Sequence, residues 1–215
     1  MSSDPDIKLT RQAILDAALR ITDHDGVDKL TMRRLASELG VQAMSLYHHI
    51  PNKSALLDGV VEQLVTHIER PVMNPNAWQD SLREVAFSLH DALMAHRNVV
   101  PLIATRPAMT AQNLAAVESV LSMLVTAGFN PAMAMRTWQS LAAFVIGHVS
   151  ADISADTHDP ELSPASIDAS DYPVTAIAVT ESADGPDTIF RWGLGAIITG
   201  FDALAESARS GQSVK

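Results

Sequence analysis

The chain has 215 residues, 47% of them hydrophobic, no cysteine and a formal charge of −10 at pH 7. This length suits one small plus one medium domain, and the hydrophobic fraction can fill a core. The lack of cysteine excludes a disulfide framework and a thiolate zinc site. The polar N-terminus has no apolar signal core, and no run of about 18 apolar residues could span a membrane. We therefore expect a soluble, cytoplasmic protein.

The charge is unevenly divided along the chain. Residues 1–60 contain seven Lys or Arg against eight Asp or Glu, whereas residues 61–215 contain eight against seventeen. A strongly acidic segment repels nucleic acid, so residues 61–215 are excluded as a DNA-binding surface. We interpret this part as a sensing or partner-binding body.

Four helices are predicted in the first 71 residues, from apolar positions at helical spacing and from capping residues. They run from Leu9 or Thr10 to His24, from Met32 to Leu39, from about Gln42 to His48, and from the capping residue Asn52 to Pro71. The fourth helix is long enough to leave one domain and enter the next. It is therefore the candidate link between them.

The second and third helices form a predicted helix-turn-helix. Thr31 can cap the second helix, and Leu30 and Leu35 occupy the positions of a hydrophobic staple. Gly40 can adopt the left-handed conformation that turns the chain. A purely structural helical hairpin would share this spacing. Charge favours DNA binding, because the stretch from Lys29 to Lys53 holds four basic residues and one acid, an excess that suits phosphate contact.

Helices are also predicted throughout the rest of the chain. They cover Trp78 to His96, a short piece from Val99 to Ala104, Thr110 to Ala127, Pro131 to about Ile153, a short helix near Val174 to Val179 within a loop of residues 154–185, and Asp187 to about Arg209. The segment that begins at Pro131 is apolar nearly all round, which favours burial against a partner subunit. The fold class is thus all-α, with a helix-turn-helix domain at 1–53, a linking helix at 54–71 and a helical effector-binding and dimerisation domain at 72–215.

Four motifs occur in order in the N-terminal part: Thr31-Met-Arg-Arg-Leu-Ala, Leu39-Gly-Val, Ser45-Leu-Tyr-His-His and Asn52-Lys-Ser-Ala-Leu-Leu. Together they resemble the DNA-binding domain of the TetR family of transcriptional regulators. Further motifs are similar to the tetracycline-repressor branch: Trp78-Gln-Asp, His96-Arg, Thr105-Arg-Pro, Gly128-Phe and Phe190-Arg-Trp-Gly-Leu. The resemblance implies a dimeric repressor that a small-molecule effector releases from a double-stranded DNA operator.

The DNA-binding residues follow from this resemblance and from side-chain chemistry. They are Thr31, Arg33, Arg34, Gln42, Ala43, Met44, Ser45, Tyr47, His48, His49 and Lys53. Base reading is assigned to Arg33, Gln42 and Ser45, because Arg pairs with guanine and Gln with adenine through two hydrogen bonds. Ala43 and Met44 stand where the tetracycline repressors carry a polar reader and a proline. They can make only apolar contacts, so a different operator is expected.

The resemblance also implies a four-helix dimer interface, built by the helix from Pro131 and the final helix of each subunit. The interface residues assigned are Leu141, Val145, Gly193, Ala196, Ile197, Gly200 and Phe201. Gly193, Ala196 and Gly200 follow one another at spacings of three and four, which lets another helix come close. The alternative is that these glycines provide flexibility or occur at this spacing by chance.

The effector pocket carries the weakest resemblance. The positions that hold the drug and its magnesium in tetracycline repressors correspond here to Glu69, Val85, Leu89, Leu102 and, from the partner subunit, Ala151. Of these only Glu69 could ligate a hard cation, so the resemblance does not predict that this protein binds tetracycline with magnesium. We expect a mostly apolar pocket lined by His67, Glu69, Val85, Phe87, Leu89, Leu102, Trp138 and Phe144. The alternative is that these residues are simply core.

One further pattern carries possible chemistry. His148, Asp152 and Asp156 recur every four residues, followed by His158 and Asp159, which is compatible with a divalent metal site or with a solvated helix face. A solvated face is the commoner outcome, and no metal or cofactor is assigned. No P-loop, nucleophile elbow, zinc-protease or dinucleotide motif is present, so no enzyme is expected. The alternative function is a helical ligand- or metal-binding protein, with or without enzymatic activity, that keeps the helix-turn-helix as a scaffold.

Overall fold

The computed structural model describes residues 9–103, 105–106, 111–155, 167–181 and 185–209, and within these ranges the regular structure is helical. The α-helices, in chain order, are α1 (Arg11–Asp25), α2 (Met32–Glu38), α3 (Ala43–Tyr47), α4 (Lys53–His67), α5 (Trp78–Ala95), α6 (Val100–Ile103), α7 (Ala111–Thr126), α8 (Pro131–Ala155), α9 (Pro173–Glu181) and α10 (Pro186–Arg209). The all-α prediction is confirmed.

The N-terminal helices begin and end where their caps predict. The side chain of Thr31 accepts a hydrogen bond from the backbone N–H of Arg34, and Asn52 does the same for Ala55. Gly26 and Gly40 follow α1 and α2 with positive φ angles of 84° and 67°. These positions suit glycine, which has no Cβ to oppose the left-handed conformation.

The helix-turn-helix rests on α1 and α4 through a continuous apolar core. Its fully buried members are Ile14, Leu15, Leu30, Leu35, Leu46, Ile50 and Leu56. Leu46 is the buried residue of α3. The five-residue helix α3 is therefore fixed to the unit chiefly by Leu46, with Ala43 partly buried against the same core. Met44 and Tyr47 are left exposed.

Helices α1 and α4 approach most closely at Gly59. A Cβ added at Gly59 would lie 2.4 Å from Cδ2 of Leu15, which is buried in the core. We expect Gly59→Ala to lower the free energy of unfolding by up to about 2 kcal/mol, because overpacking costs about 1–3 kcal/mol and alanine returns about 1 kcal/mol of helix propensity. Urea unfolding at one fixed protein concentration measures this change.

Gly195→Ala is the matched control. Gly195 also lies within a helix, but a Cβ added there meets no atom within 4 Å. Only the gain in helix propensity applies, so this variant should be as stable as the parent or up to about 1 kcal/mol more stable. Equal effects of the two substitutions would contradict the close approach of α1 and α4.

The C-terminal body packs α5 and α7 against α8, with α10 lying across α5 and α8. Its core is anchored by aromatic pairs. Trp78 and Phe129 meet edge to face with ring centroids 4.9 Å apart, and the buried Phe190 of α10 stacks on Phe144 of α8 at 5.5 Å. Such pairs add specific geometry to apolar burial.

Several predicted boundaries are corrected by one to a few residues. Helix α3 is shorter at both ends than predicted, because Gln42 takes an extended conformation as its N-cap. Helix α4 ends at His67 rather than Pro71, since Ile68 is already extended. Helix α9 is longer than the predicted piece. The predicted cap Thr110 and three of the possible metal ligands, Asp156, His158 and Asp159, lie outside the described residues.

Candidate DNA-binding face and effector cavity

The predicted DNA-binding residues lie on one face formed by α2, α3 and the start of α4. Nine of them are exposed: Thr31, Arg33, Arg34, Gln42, Met44, Tyr47, His48, His49 and Lys53; Ala43 and Ser45 are half-buried. Met44 and Tyr47 expose 70% and 44% of their surface although they are large and apolar or aromatic. An exposed hydrophobic side chain on so short a helix is suited to contact with a partner surface.

Two helix N-termini open onto this face. Lys53 is the first residue of α4, directly after the capping Asn52. Unpaired backbone N–H groups and the helix dipole at this end favour an anion, and the Lys53 ammonium adds a full positive charge. Thr31 caps α2 in the same way. These features are suited to phosphate groups at two places on the face.

Arg34 differs from the other basic residues of the face because it is engaged within the protein. Its Nη2 donates to Oδ2 of Asp25 at 2.9 Å, and Nδ1 of His24 lies 2.7 Å from the other oxygen of that carboxylate. The hydrogen bond from His24 and the nearby charge of Arg34 hold the pKa of Asp25 below its usual value. Asp25 thus stays ionised at neutral pH, and a phosphate would have to compete with it for Arg34.

A short segment, residues 96–103 together with 105 and 106, connects the C-terminal body to the DNA-binding unit; we call it the junction segment. At one end Nδ1 of His96 lies 2.9 Å from Oδ2 of Asp23, and the amide of Asn98 donates to the Asp23 carbonyl at 2.8 Å. The His96 ring also stacks on His67, the last residue of α4, with centroids 5.2 Å apart. This end therefore joins α5, the end of α4 and the end of α1.

The other end of the junction segment is hydrogen-bonded to the start of α4. Nη1 of Arg106 donates to Oδ1 of Asp58 at 2.6 Å and to the hydroxyl and carbonyl oxygens of Ser54 at 3.1 and 3.2 Å. Charge-assisted hydrogen bonds of this kind are stronger than neutral ones. The segment is thus attached to the DNA-binding unit at two separate points.

An apolar cavity of about 160 Å³ lies where α4 ends, between α5, α7 and α8. Four of the predicted pocket residues line it, Glu69, Val85, Leu89 and Trp138. The lining not foreseen from the sequence comes from the end of α4 and its following turn and from α7: Val65, Ile68, Arg70, Pro71, Met73, Asn113, Ala116, Val117, Ser119 and Val120. The cavity can hold a compact apolar group, with Glu69 and Arg70 supplying charge at its edge.

The other four predicted pocket residues lie outside this cavity. His67 stacks on His96 in the junction, and Leu102 is buried in α6. Phe87 and Phe144 both pack on Phe190. Leu102 was predicted from the resemblance, Phe87 and Phe144 as further apolar lining, and His67 as a polar group of the pocket. The resemblance does not reveal which side of each helix faces the cavity.

The predicted dimer residues are divided between the core and the surface of the subunit. Leu141 and Val145 are buried within the subunit itself. Gly193 faces Phe144 of the same chain, since an added Cβ would lie 2.9 Å from its Cζ. Ala196 and Gly200 are exposed, and Ile197 and Phe201 are half-buried. The structure therefore assigns Leu141 and Val145 to the subunit core, where a partner cannot contact them.

An exposed face of small residues does run along α8 and α10; we call it the small-residue face. It comprises Ala143, Gly147 and Ala151 of α8 and Ala196, Gly200 and Ala203 of α10. Larger apolar residues border it, among them Trp192, which exposes 77% of its surface. Small residues let helices approach closely, and exposed apolar surface of this kind favours burial against a partner.

His148 and Asp152 lie side by side on α8, with Nε2 and Oδ2 3.5 Å apart. His90 of α5 joins them, and one possible ligand atom from each of the three lies within 4.8 Å of the others. His90 was not predicted, because it lies 58 positions from His148 in the sequence.

No helix in the described ranges has the length and hydropathy to cross a membrane.

Two family profiles match the chain. The profile described as "Bacterial regulatory proteins, tetR family" matches residues 14–60, and "Tetracyclin repressor-like, C-terminal domain" matches residues 70–205. The first match contains the helix-turn-helix and all the residues of the DNA-binding face. The second contains the junction segment, the small-residue face and the cavity lining other than Val65, Ile68 and Glu69.

Individual proteins are similar over most of their length. Tetracycline repressor protein class C of Escherichia coli is 33% identical over 205 residues, which cover 92% of this chain and 92% of that protein. The Streptomyces coelicolor TetR family protein ActR, solved in complex with actinorhodin, superposes with a TM-score of 0.81 at 28% identity and covers 92% of this chain and 98% of its own. TetR-Q116A from Acinetobacter baumannii AYE, solved with minocycline, gives 0.74 at 31% identity, with coverages of 92% and 99%.

Proposed function

Because the chain belongs to the TetR family of bacterial regulatory proteins, with a tetracycline-repressor-like C-terminal domain, we propose that it is a homodimeric repressor released from its DNA operator by a small molecule. The observation that carries this proposal is the exposed helix-turn-helix face, with its caps, basic residues and recognition helix α3. No catalytic role is proposed. The cytoplasm, where the operator lies, is the proposed site of action.

We propose that α3 enters the major groove and reads bases through Gln42, Ser45 and, from α2, Arg33. Thr31, Tyr47, His49 and Lys53 would contact phosphates. In a two-fold dimer the two copies of α3 bind half-sites about one helical turn of DNA apart. The operator should therefore be an inverted repeat with half-site centres separated by about 10 base pairs.

The effector is proposed to bind in the cavity at the end of α4. Similar proteins were solved with actinorhodin and with minocycline, which makes polycyclic aromatic compounds the first class to test. The cavity of about 160 Å³ is smaller than the roughly 300–1,000 Å³ of sites for drug-sized ligands. A ligand of that size must therefore move the cavity wall, and the end of α4 is part of that wall.

Movement at the end of α4 would reach the DNA-binding face through α4 itself and through the junction segment. Helix α4 packs on α1 along its length, and Lys53 at its start belongs to the DNA-binding face. The junction segment holds α1 at Asp23 and α4 at Asp58. A ligand that favours a shifted α4 would thus change the separation of the two α3 helices and lower operator affinity.

Selection of bound sequences from random duplex DNA tests the proposal, with the full chain and with or without a panel that includes actinorhodin and minocycline. We expect enrichment of one inverted repeat at low salt and release by at least one compound. The affinity should fall steeply with salt, because phosphate contacts release counterions. A chain that enriches no sequence and binds no duplex at low ionic strength would disprove the proposal.

The contact between the junction segment and the start of α4 gives a separate prediction. Arg106→Ala should leave ligand-free operator affinity nearly unchanged but reduce the ligand-induced loss of affinity, because the Asp58 and Ser54 contacts are removed. Couplings of this kind are typically about 5- to 150-fold, and we expect the variant's ratio to fall below the parent's, towards 1. Fluorescence titrations of the selected operator, with and without the releasing compound, measure both quantities.

Arg83→Ala is the control for Arg106→Ala, because Arg83 pairs with Asp80 on the exposed side of α5, away from the junction. It should respond to the ligand like the parent. An unchanged response in Arg106→Ala would show that the second attachment point plays no part in release.

A further inference from the structure

Two histidines and one aspartate from different helices meet inside the C-terminal body. His90 of α5 exposes 7% of its surface. The side chains of His148 and Asp152, both on α8, expose 10% and 17%. One nitrogen or oxygen from each lies within 4.8 Å of the others. None of the three lines the effector cavity, so this cluster is separate from the proposed effector site.

The nitrogen Nε2 of His148 is buried and has no hydrogen-bond partner. The nearest carboxylate oxygen, Oδ2 of Asp152, is 3.5 Å away, longer than an N–H···O hydrogen bond. Leaving a buried polar atom unsatisfied is costly, and native structures contain few such atoms. A bound ion or molecule between His148, Asp152 and His90 would give this nitrogen a partner.

The geometry of the pair suits a metal ion. Zinc binds His nitrogen at about 2.0–2.1 Å and carboxylate oxygen at about 2.0–2.2 Å, so two ligand atoms in a tetrahedral shell lie about 3.4 Å apart. The 3.5 Å between Nε2 and Oδ2 matches this spacing. His90 supplies the third ligand, since one of its ring nitrogens lies within 4.8 Å of a ligand atom of each of the other two residues.

His90 already has the outer partner that metal-bound histidines use. Its Nδ1 lies 3.1 Å from Oδ1 of Asp91, which leaves Nε2 as the ring nitrogen able to bind an ion. A carboxylate on the second nitrogen fixes the ring orientation and makes the first nitrogen a better ligand. Phe190 stacks on the His90 ring with centroids 4.3 Å apart, which restricts its orientation further.

A polar crevice leads to His90 from the surface. Asp91, Asp187 and Arg191 line it together with Phe87, His90 and Phe190. Asp91 and Asp187 supply negative charge at the opening beside the positive charge of Arg191, and the rings of Phe87 and Phe190 flank His90. The cluster thus has ligands, an outer carboxylate and an opening to the surface beside His90.

We propose that His90, His148 and Asp152 bind one divalent transition-metal ion of the zinc class, with a water molecule in the fourth position. Two imidazoles and one carboxylate favour zinc, cobalt or nickel over magnesium or calcium, which prefer all-oxygen shells. The ion links α5 to α8 within the subunit. It should therefore raise the temperature of unfolding. The proposal does not depend on the regulatory function.

Metal binding by the full chain, freed of metal with a chelator and then dialysed, tests the proposal. Isothermal titration with ZnCl₂ should give one ion per chain, and Co²⁺ should give the visible absorption of a four-coordinate nitrogen and oxygen site. His148→Gln and Asp152→Asn should each weaken binding by at least about tenfold and abolish the rise in unfolding temperature. Asp152→Asn keeps the shape of the side chain, so it guards against loss through misfolding.

His24→Gln is the matched control. His24 also lies beside an aspartate, with Nδ1 2.7 Å from Asp25, but its side chain is 87% exposed. This variant should bind zinc and cobalt like the parent. The proposal is overturned if the parent takes up no ion at about 100 µM Zn²⁺, Co²⁺ or Ni²⁺. It is equally overturned if the cluster variants, folded by circular dichroism, bind as the parent does.

Discussion

Ala196→Glu is expected to turn the protein into a monomer and to lower operator affinity by about 100-fold or more. Ala196 is exposed on the small-residue face, which we propose as the dimer interface. Burying a carboxylate between closely packed helices without a partner is strongly unfavourable. Because linking two half-site readers can raise affinity by about 10²–10⁴ over either alone, separation of the subunits removes most of that gain.

Sedimentation velocity and operator titration, at matched protein concentrations, measure the two effects of Ala196→Glu. Ala115→Glu serves as the control, since Ala115 is exposed on α7 and receives the same charge away from the small-residue face. The control should remain dimeric and bind like the parent. A dimeric Ala196→Glu variant with unchanged operator affinity would show that the interface lies elsewhere.

Arg33→Ala is expected to cost about 1–3 kcal/mol in each half-site, and thus about 2–6 kcal/mol for a dimer that carries the change twice. Arg33 is exposed on α2, and the structure gives it no ion pair with another described residue, so its charge is available to DNA. Since the lost contact is to a base edge, the loss should appear at the selected operator and be much smaller on scrambled duplexes.

Lys53→Ala distinguishes phosphate contact from base reading. We expect it to weaken binding to operator and scrambled DNA alike and to reduce the slope of log affinity against log salt by about 1 per contact. Arg83→Ala, which removes a positive charge from α5, should change neither. Titrations over a salt series provide all of these values. Identical profiles for the Arg33 and Lys53 variants would contradict the proposed division of roles.

The sequence predicted the DNA-binding unit well because its signals are local. Thr31 and Asn52 each accept a hydrogen bond from a backbone N–H three residues later. Gly40 turns the chain through its own positive φ angle. The end of α4 was placed too late because Pro71 marks only the last residue at which a helix can stop. The extended Ile68 that ends it earlier had no comparable signal.

Features that depend on contacts between distant residues were not predicted. The pair formed by Asp23 and His96 spans 73 positions, and that of Asp58 and Arg106 spans 48. His90 reaches His148 only because α5 packs on α8. Similarly, periodicity marked Leu141 and Val145 as apolar without showing that their own subunit buries them. In each case the missing information was which helix lies opposite.

The two attachment points of the junction segment set a requirement for hybrid regulators. A chimera that combines residues 61–215 with the DNA-reading unit of another protein is joined within α4, so the imported unit must supply the first half of that helix and its cap. On the proposed route, it would respond fully to the effector if the imported unit also supplied counterparts of Asp23, Ser54 and Asp58. Grafting these three side chains into a foreign unit should therefore restore control in a hybrid that binds DNA but ignores its inducer.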